Sequence, residues 1–171
     1  MNRQMTFALG TAALLCLGVA GSGVAMAQTA KDLVGTWMLV SGETTNPNGS
    51  KTPTFGANPK GVIVFGSDGR FTYVFSRADL PKFASNSRAT GTPEENKAVV
   101  QGSIGTFGMY SLAGTTLTLK IEQSTFPNWI GAEQPRTVVI TGDDLKWTNP
   151  AGSSGGVVEL AFKRSSARAT N

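Results

Sequence analysis

The chain has 171 residues and a net charge of +4 at pH 7, with no His and a single Cys. Its Lys and Arg residues are scattered, and no run of them would line a nucleic-acid groove. The lone Cys16 sits near the N-terminus, so Ser-His and Cys-His nucleophile systems and ordinary zinc sites are excluded from any domain that follows it.

Asn2 and Arg3 open a short positive region, Phe7 to Val19 is apolar, and Ala25-Met26-Ala27 has the small-x-small pattern of a cleavage site. Residues 1–27 are therefore expected to be a secretory signal peptide, cut before Gln28. No second apolar run is long enough for a membrane span. Leu15 before Cys16 does not fit a lipoprotein signal. With Cys16 removed, no disulfide staples the mature chain, and one core must hold it together. Residues 28–32 read as a short linker, 33–164 as one domain and 165–171 as a polar tail.

Within Leu33–Thr45, Leu33, Trp37 and Leu39 alternate onto one face, the period-2 signature of a half-buried strand. Gly35-Thr36-Trp37 allows close backbone approach at Gly35 and sets a large ring where it can plug a barrel end. Asn46 to Gly49 is a turn cluster, and Lys51–Lys60 reads as a loop. Gly61–Phe65 and Arg70–Arg77 form strands joined through Ser67-Asp68-Gly69. The face Phe71, Tyr73, Phe75 is expected to be buried, carrying Arg77 with it. Ala78–Thr92 is a polar connection. Thr92 then caps the only expected helix, which runs to about Gly102, with Pro93 at its first position and Glu95 completing a capping box.

Thr106–Leu112 and Thr115–Glu122 pair around Ala113-Gly114, and Thr125–Gln134 is a loop. Arg136–Thr141 and Asp144–Asn149 pair around Gly142-Asp143. In the last strand, Gly155–Arg164, the residues Val158, Leu160, Phe162 and Arg164 share a face. About eight strands at hairpin spacing with one short helix predict an all-β, antiparallel up-and-down barrel, which closes its own edges.

Several stretches together carry a family resemblance: LVGTWMLVSGETT, NPKGVIVFGSDGRFTYVFSRADLPKFASN, GTPEENKA and FPNWIG. The chain resembles the bacterial and fungal lipocalin-like domain family from Leu33 to about Arg164. The resemblance implies a small antiparallel barrel with an internal cavity, and says little about chemistry. It also implies that Trp37 packs beneath a basic residue of the last strand, a place that face parity offers to Arg164. One or two His commonly stand in the family pattern where this chain has Leu119 and Lys120, so any imidazole role is absent here.

Arg77 on an aromatic face must be paired or solvated, since an unpaired buried charge is very costly. It is read either as a clamp for an acidic head group or as a structural partner of Asp79 or another acid. Tyr73 and Tyr110 are candidates to hydrogen-bond a ligand at mid-cavity, or else core tyrosines bonded to neighbours. The loop aromatics Phe126 and Trp129, with Phe83, form either a lid or a cover folded onto the barrel rim. The candidate ligand-binding set is Phe71, Tyr73, Phe75, Arg77, Tyr110, Phe126 and Trp129, and the candidate closure set is Gly35, Trp37 and Arg164. No catalytic constellation, metal site or cofactor motif stands out.

These features predict an exported barrel, periplasmic or extracellular, that binds a small hydrophobic or amphiphilic molecule. The rival readings are an isomerase, cyclase or hydrolase of a hydrophobic substrate using Tyr73, Tyr110 and Arg77, and a structural or interaction module with a filled interior. The export reading has a direct check. N-terminal sequencing of protein recovered from outside the cytoplasm is expected to start at Gln28 or within a residue or two, and a mature chain retaining Met1 would overturn it.

Overall fold

The computed structural model describes residues 28–166; the expected signal peptide and its cleavage site lie outside them. Nine strands follow in order: β1 (Gly35–Thr45), β2 (Lys51–Pro53), β3 (Lys60–Phe65), β4 (Arg70–Ser76), β5 (Ser103–Ala113), β6 (Thr116–Ser124), β7 (Glu133–Thr141), β8 (Asp144–Asn149) and β9 (Val157–Arg164). Each neighbour is antiparallel in the order β2-β1-β3-β4-β5-β6-β7-β8-β9, and β1 also pairs with β9. Eight strands thus close into a barrel, and β2 lies outside it.

Alternation builds the interior. Ile63 and Phe65 of β3, Phe71, Tyr73 and Phe75 of β4, Leu117, Leu119 and Ile121 of β6, and Leu160 and Phe162 of β9 are buried, while the residues between them are more exposed. On β4 the inward rings stack as a ladder. Phe71 lies 5.9 Å from Tyr73, and Tyr73 lies 4.5 Å from Phe75 in nearly parallel planes. Such stacking adds to the burial energy that each ring brings.

The helix opened by Thr92 is α2 (Pro93–Gly102). The Thr92 hydroxyl accepts from the Glu95 N–H, and the Glu95 carboxylate accepts from Thr92 N–H at 2.8 Å. The other oxygen of Glu95 accepts from Ala84 N–H at 2.8 Å, which ties the long connection to the helix start. The backbone N–H groups of Ala84 and Thr92, with a smaller part from the Thr92 hydroxyl, hold the Glu95 carboxyl below its ordinary value.

Two local expectations need correction. A second helix, the single turn α1 (Ala30–Leu33), precedes β1; it is too short for periodicity to show and is set by Asp32, which accepts from Thr29 N–H at 2.7 Å. The expected loop Lys51–Lys60 begins with β2, a three-residue partner for Glu43 to Thr45. The short linker of residues 28–32 is docked on the barrel. The Gln28 side chain bonds the backbone of Val138 and Ile140 on β7, and Asp32 O accepts from Arg164.

One barrel end is sealed by α1, Trp37 and Arg164. Trp37 is fully buried and its indole N–H donates to Leu33 O at 2.8 Å. The Arg164 guanidinium lies 4.0 Å from the Trp37 ring centroid and donates to Val34 O at 2.9 Å and Asp32 O at 2.7 Å. Gly35 has φ +125°, and a Cβ there would sit 3.3 Å from the guanidinium. A side chain at 35 would therefore meet both backbone strain and the stack. Trp37→Ala removes the plug and leaves a large void beneath Arg164. It is expected to lower unfolding free energy by about 3–5 kcal/mol in urea titrations, and an unchanged midpoint would refute this account of the seal.

Candidate functional site

The opposite end is where the chain leaves room. There β5 follows α2, the turn Pro127–Trp129 crosses between β6 and β7, and residues 150–156 link β8 to β9. A cavity of about 500 Å³ opens among them. This lies within the roughly 300–1,000 Å³ range of small-molecule sites. Tyr73, Phe75 and Leu160 line it from the barrel wall, Ile104 and Trp147 from neighbouring strands, and Thr54 and Phe55 from beyond β2. Val100, on α2, is 75 % exposed and forms part of the lip.

The expected ligand-binding residues separate in the structure. Tyr73, Phe75, Phe126 and Trp129 line the cavity. Phe126 and Trp129 meet edge to face at 5.5 Å and pack against the core, so they fold over the rim and form cavity wall together. Phe83 packs close over Gly91 and is not part of the cavity lining. Phe71 is buried deeper, beneath Tyr73, and is not part of the cavity lining.

Tyr110 does not reach mid-cavity. Its hydroxyl donates to Gly66 O at 2.8 Å, and its ring packs edge-on against Phe65 at the sealed end. Arg77 is also corrected. β4 ends at Ser76, so strand parity no longer governs the next residue. The Arg77 side chain is exposed, and its Nε and Nη2 donate to the two oxygens of Asp79 at 2.9 and 2.8 Å. This is the structural pairing, and no charge from Arg77 enters the cavity.

A different arginine does. Arg136, on β7, is only 3 % exposed and lines the cavity. It shares an inward face with the fully buried Val138. Its guanidinium carbon lies 5.6 Å from the ring centroids of both Trp129 and Trp147. One Nη donates to Pro135 O at 3.0 Å and the other to the Gln134 side-chain oxygen. Nε has no partner, and among the described residues no carboxylate comes within ion-pair distance of Arg136. Burial lowers its pKa to about 10, with Tyr73 opposing the shift, so it stays charged at neutral pH.

An isolated buried cation costs several kcal/mol in lost hydration. Two indole faces return about 0.5–2 kcal/mol each, and the two hydrogen bonds add to that. Nearby, the Trp147 indole N–H is buried without an acceptor. Asn149 uses its side-chain oxygen to accept from Ala151 N–H at 3.0 Å, so its amide N–H groups are the free part. Burial also raises the Tyr73 phenol, against a bond with Thr106 and the charge of Arg136. Two buried donors of the cavity lining, Arg136 Nε and Trp147 Nε1, are therefore left without an acceptor, although hydroxyls such as Ser103 and Thr125 also line the space. Among the described residues no cluster of three or more His, Cys, Asp or Glu could hold a metal ion.

The sequence matches the profile of the lipocalin-like domain family over residues 34–164. No curated protein matches it significantly. Among solved structures, a lipocalin-like protein from Bacteroides uniformis is 17 % identical, with a TM-score of 0.44 over 78 % of this chain and 99 % of that one. The REP1-NXSQ fatty acid transporter is 12 % identical, with a TM-score of 0.39 over 81 % of this chain and 99 % of that one. Wild-type fluorescent protein UnaG is 14 % identical, with a TM-score of 0.37 over 80 % of this chain and all of that one.

The outward pairing of Arg77 has a measurable consequence. Arg77→Met is expected to leave the affinity of any cavity ligand unchanged while loosening the segment that Asp79 anchors. Faster chymotryptic cleavage after Phe83 at equal ligand affinity is the expected pattern. A weakened ligand affinity in this variant would return Arg77 to the site.

Proposed function

We propose that this chain, which belongs to the lipocalin-like domain family, is an exported binding protein for a small apolar or amphiphilic molecule. The observation that carries this reading is the cavity of about 500 Å³, walled by Phe55, Phe75, Ile104, Phe126 and Leu160 and reached at the end of the barrel opposite Trp37. Apolar surface removed from water in such a site contributes about 25 cal/mol per Å² before the costs of association. Export rests on the leader pattern of residues 1–27 and places the protein in the periplasm or outside the cell.

The catalytic reading has less support. Tyr73, Tyr110 and Arg77, the groups it enlists, do not converge. Only Tyr73 faces the cavity; the others bond Gly66 O and Asp79. A solidly packed interior is also disfavoured, because filling stops below the open end.

The three tryptophans supply the test. Trp129 and Trp147 line the cavity, whereas Trp37 lies at the sealed end. Nile red, a neutral apolar dye, is expected to bind with one saturable site and to quench tryptophan emission. Most of the quenching should vanish in Trp129→Phe/Trp147→Phe and persist in Trp37→Phe. Absence of saturable one-to-one binding would overturn the proposal.

A further inference from the structure

Arg136 raises a question that apolar binding leaves unanswered. A cation 3 % exposed, flanked by two indoles and facing no carboxylate among the described residues, is an expensive thing to keep in a barrel that could pack an aliphatic side chain there. Replacing such charges with apolar groups is often neutral or stabilising. The arrangement makes chemical sense if the missing counter-charge arrives with the ligand.

We propose that Arg136 anchors the head group of the ligand, and that the ligand is a carboxylate with an apolar body; this rests on the cavity being a binding site. The unpaired donors support that choice. Nε of Arg136 is free, and each Nη spends one of its two hydrogens, on Pro135 O and on the Gln134 side chain. Arg77 shows in this same chain how an Nε–Nη2 edge holds both oxygens of a carboxylate, at 2.9 and 2.8 Å. On Arg136 one member of that edge, Nε, is vacant. The Trp147 indole N–H is a second buried donor without an acceptor on the same cavity wall, and the Asn149 amide is a third donor group there. A neutral hydroxyl offers one oxygen, which accepts at most two such bonds, brings a proton that needs an acceptor of its own, and leaves the charge of Arg136 uncancelled. An anionic carboxylate offers two oxygens and about four acceptor sites, and cancels the charge.

The apolar wall fits the remainder of such a molecule. Phe55 and Phe75, 6.0 Å apart, and Leu160 and Val158 line the cavity without charge. The indoles of Trp129 and Trp147 flank the guanidinium, each centroid 5.6 Å from its carbon. They also keep water from the ion pair, which strengthens it relative to an exposed one. Lys at this position would keep the charge but lose the planar fork and its stacking.

The experiment measures displacement of Nile red by dodecanoic acid and by 1-dodecanol from wild type, Arg136→Met and Arg136→Lys. In the wild type the acid is expected to bind about ten- to a hundredfold more tightly than the alcohol, the range for a charge-assisted hydrogen bond. Arg136→Met should erase that preference by weakening the acid alone, and Arg136→Lys should retain part of it. The ligand-free thermal midpoint of Arg136→Met should equal or exceed that of wild type, whereas a purely structural guanidinium would lower it. Equal affinity for acid and alcohol in the wild type overturns the anchor and leaves the apolar cavity standing. Failure of Nile red itself to bind overturns the binding reading beneath it. Should Arg136→Met not fold, the wild-type comparison and Arg136→Lys still decide the matter.

Discussion

The barrel depends on one strand that serves three partners. β1 pairs with β3 through Gly35 to Met38, with β9 from Trp37 to Thr45, and with β2 from Glu43 to Thr45. A register shift between Leu39 and Ser41 against β9 lets β1 bend as it passes from one pairing to the next. Without this strand the sheet has two bare edges; with it the sheet is a closed surface with an inside. Every other inward-facing side chain takes its place from that closure.

The two ends then diverge because different residues reach them. At the sealed end large side chains converge: Trp37 under Arg164, Phe65 against Tyr110, and Leu33 delivered by α1. Their polar atoms are spent locally, on Leu33 O, Gly66 O, Val34 O and Asp32 O. At the open end the strands give way to α2, the Pro127–Trp129 turn and the Gly-rich link after β8. Those segments roof the barrel without filling it. Two arginines mark the contrast. Arg164 and Arg136 both lie against indoles, but Arg164 donates to backbone carbonyls while Arg136 keeps a donor in reserve. The same side-chain chemistry locks one end and leaves the other unsatisfied.

Much of this was legible in the order of residues. Hairpin turns such as Ser67-Asp68-Gly69 and Ala113-Gly114, and period-2 alternation in β4, β6 and β9, carry the barrel directly. Thr92, Pro93 and Glu95 mark the helix start through local hydrogen bonds that need no tertiary information. The site was less legible, because parity says which face a residue is on but not where strands end or how deep a residue sits. Arg77 lies one step beyond the end of β4, where Asp79 draws it outward. Tyr110 sits at the sealed end, where Gly66 O claims its hydroxyl. Arg136 is hard to place from sequence because a charged residue near a strand start resembles a solvated end. Its spacing of two from Val138 and four from Ile140 was the signal that placed it inward. β2 carries only three residues, too few for alternation to register.

The closing pairs of the barrel join residues at opposite ends of the domain: Trp37 faces Arg164, and Thr45 faces Val157. All other neighbours in the barrel except β1 and β3 are adjacent in the chain, and those two are separated only by β2 and its turns. A ribosome therefore releases seven barrel strands before the eighth exists. Until Val157–Arg164 emerges, β1 and β8 both present free edges, and Trp37 has no guanidinium above it. Entropy of loop closure opposes the final step over nearly the whole domain length. A chain that loses this last eight-residue strand keeps two unpaired margins, β1 and β8, with nothing to close them.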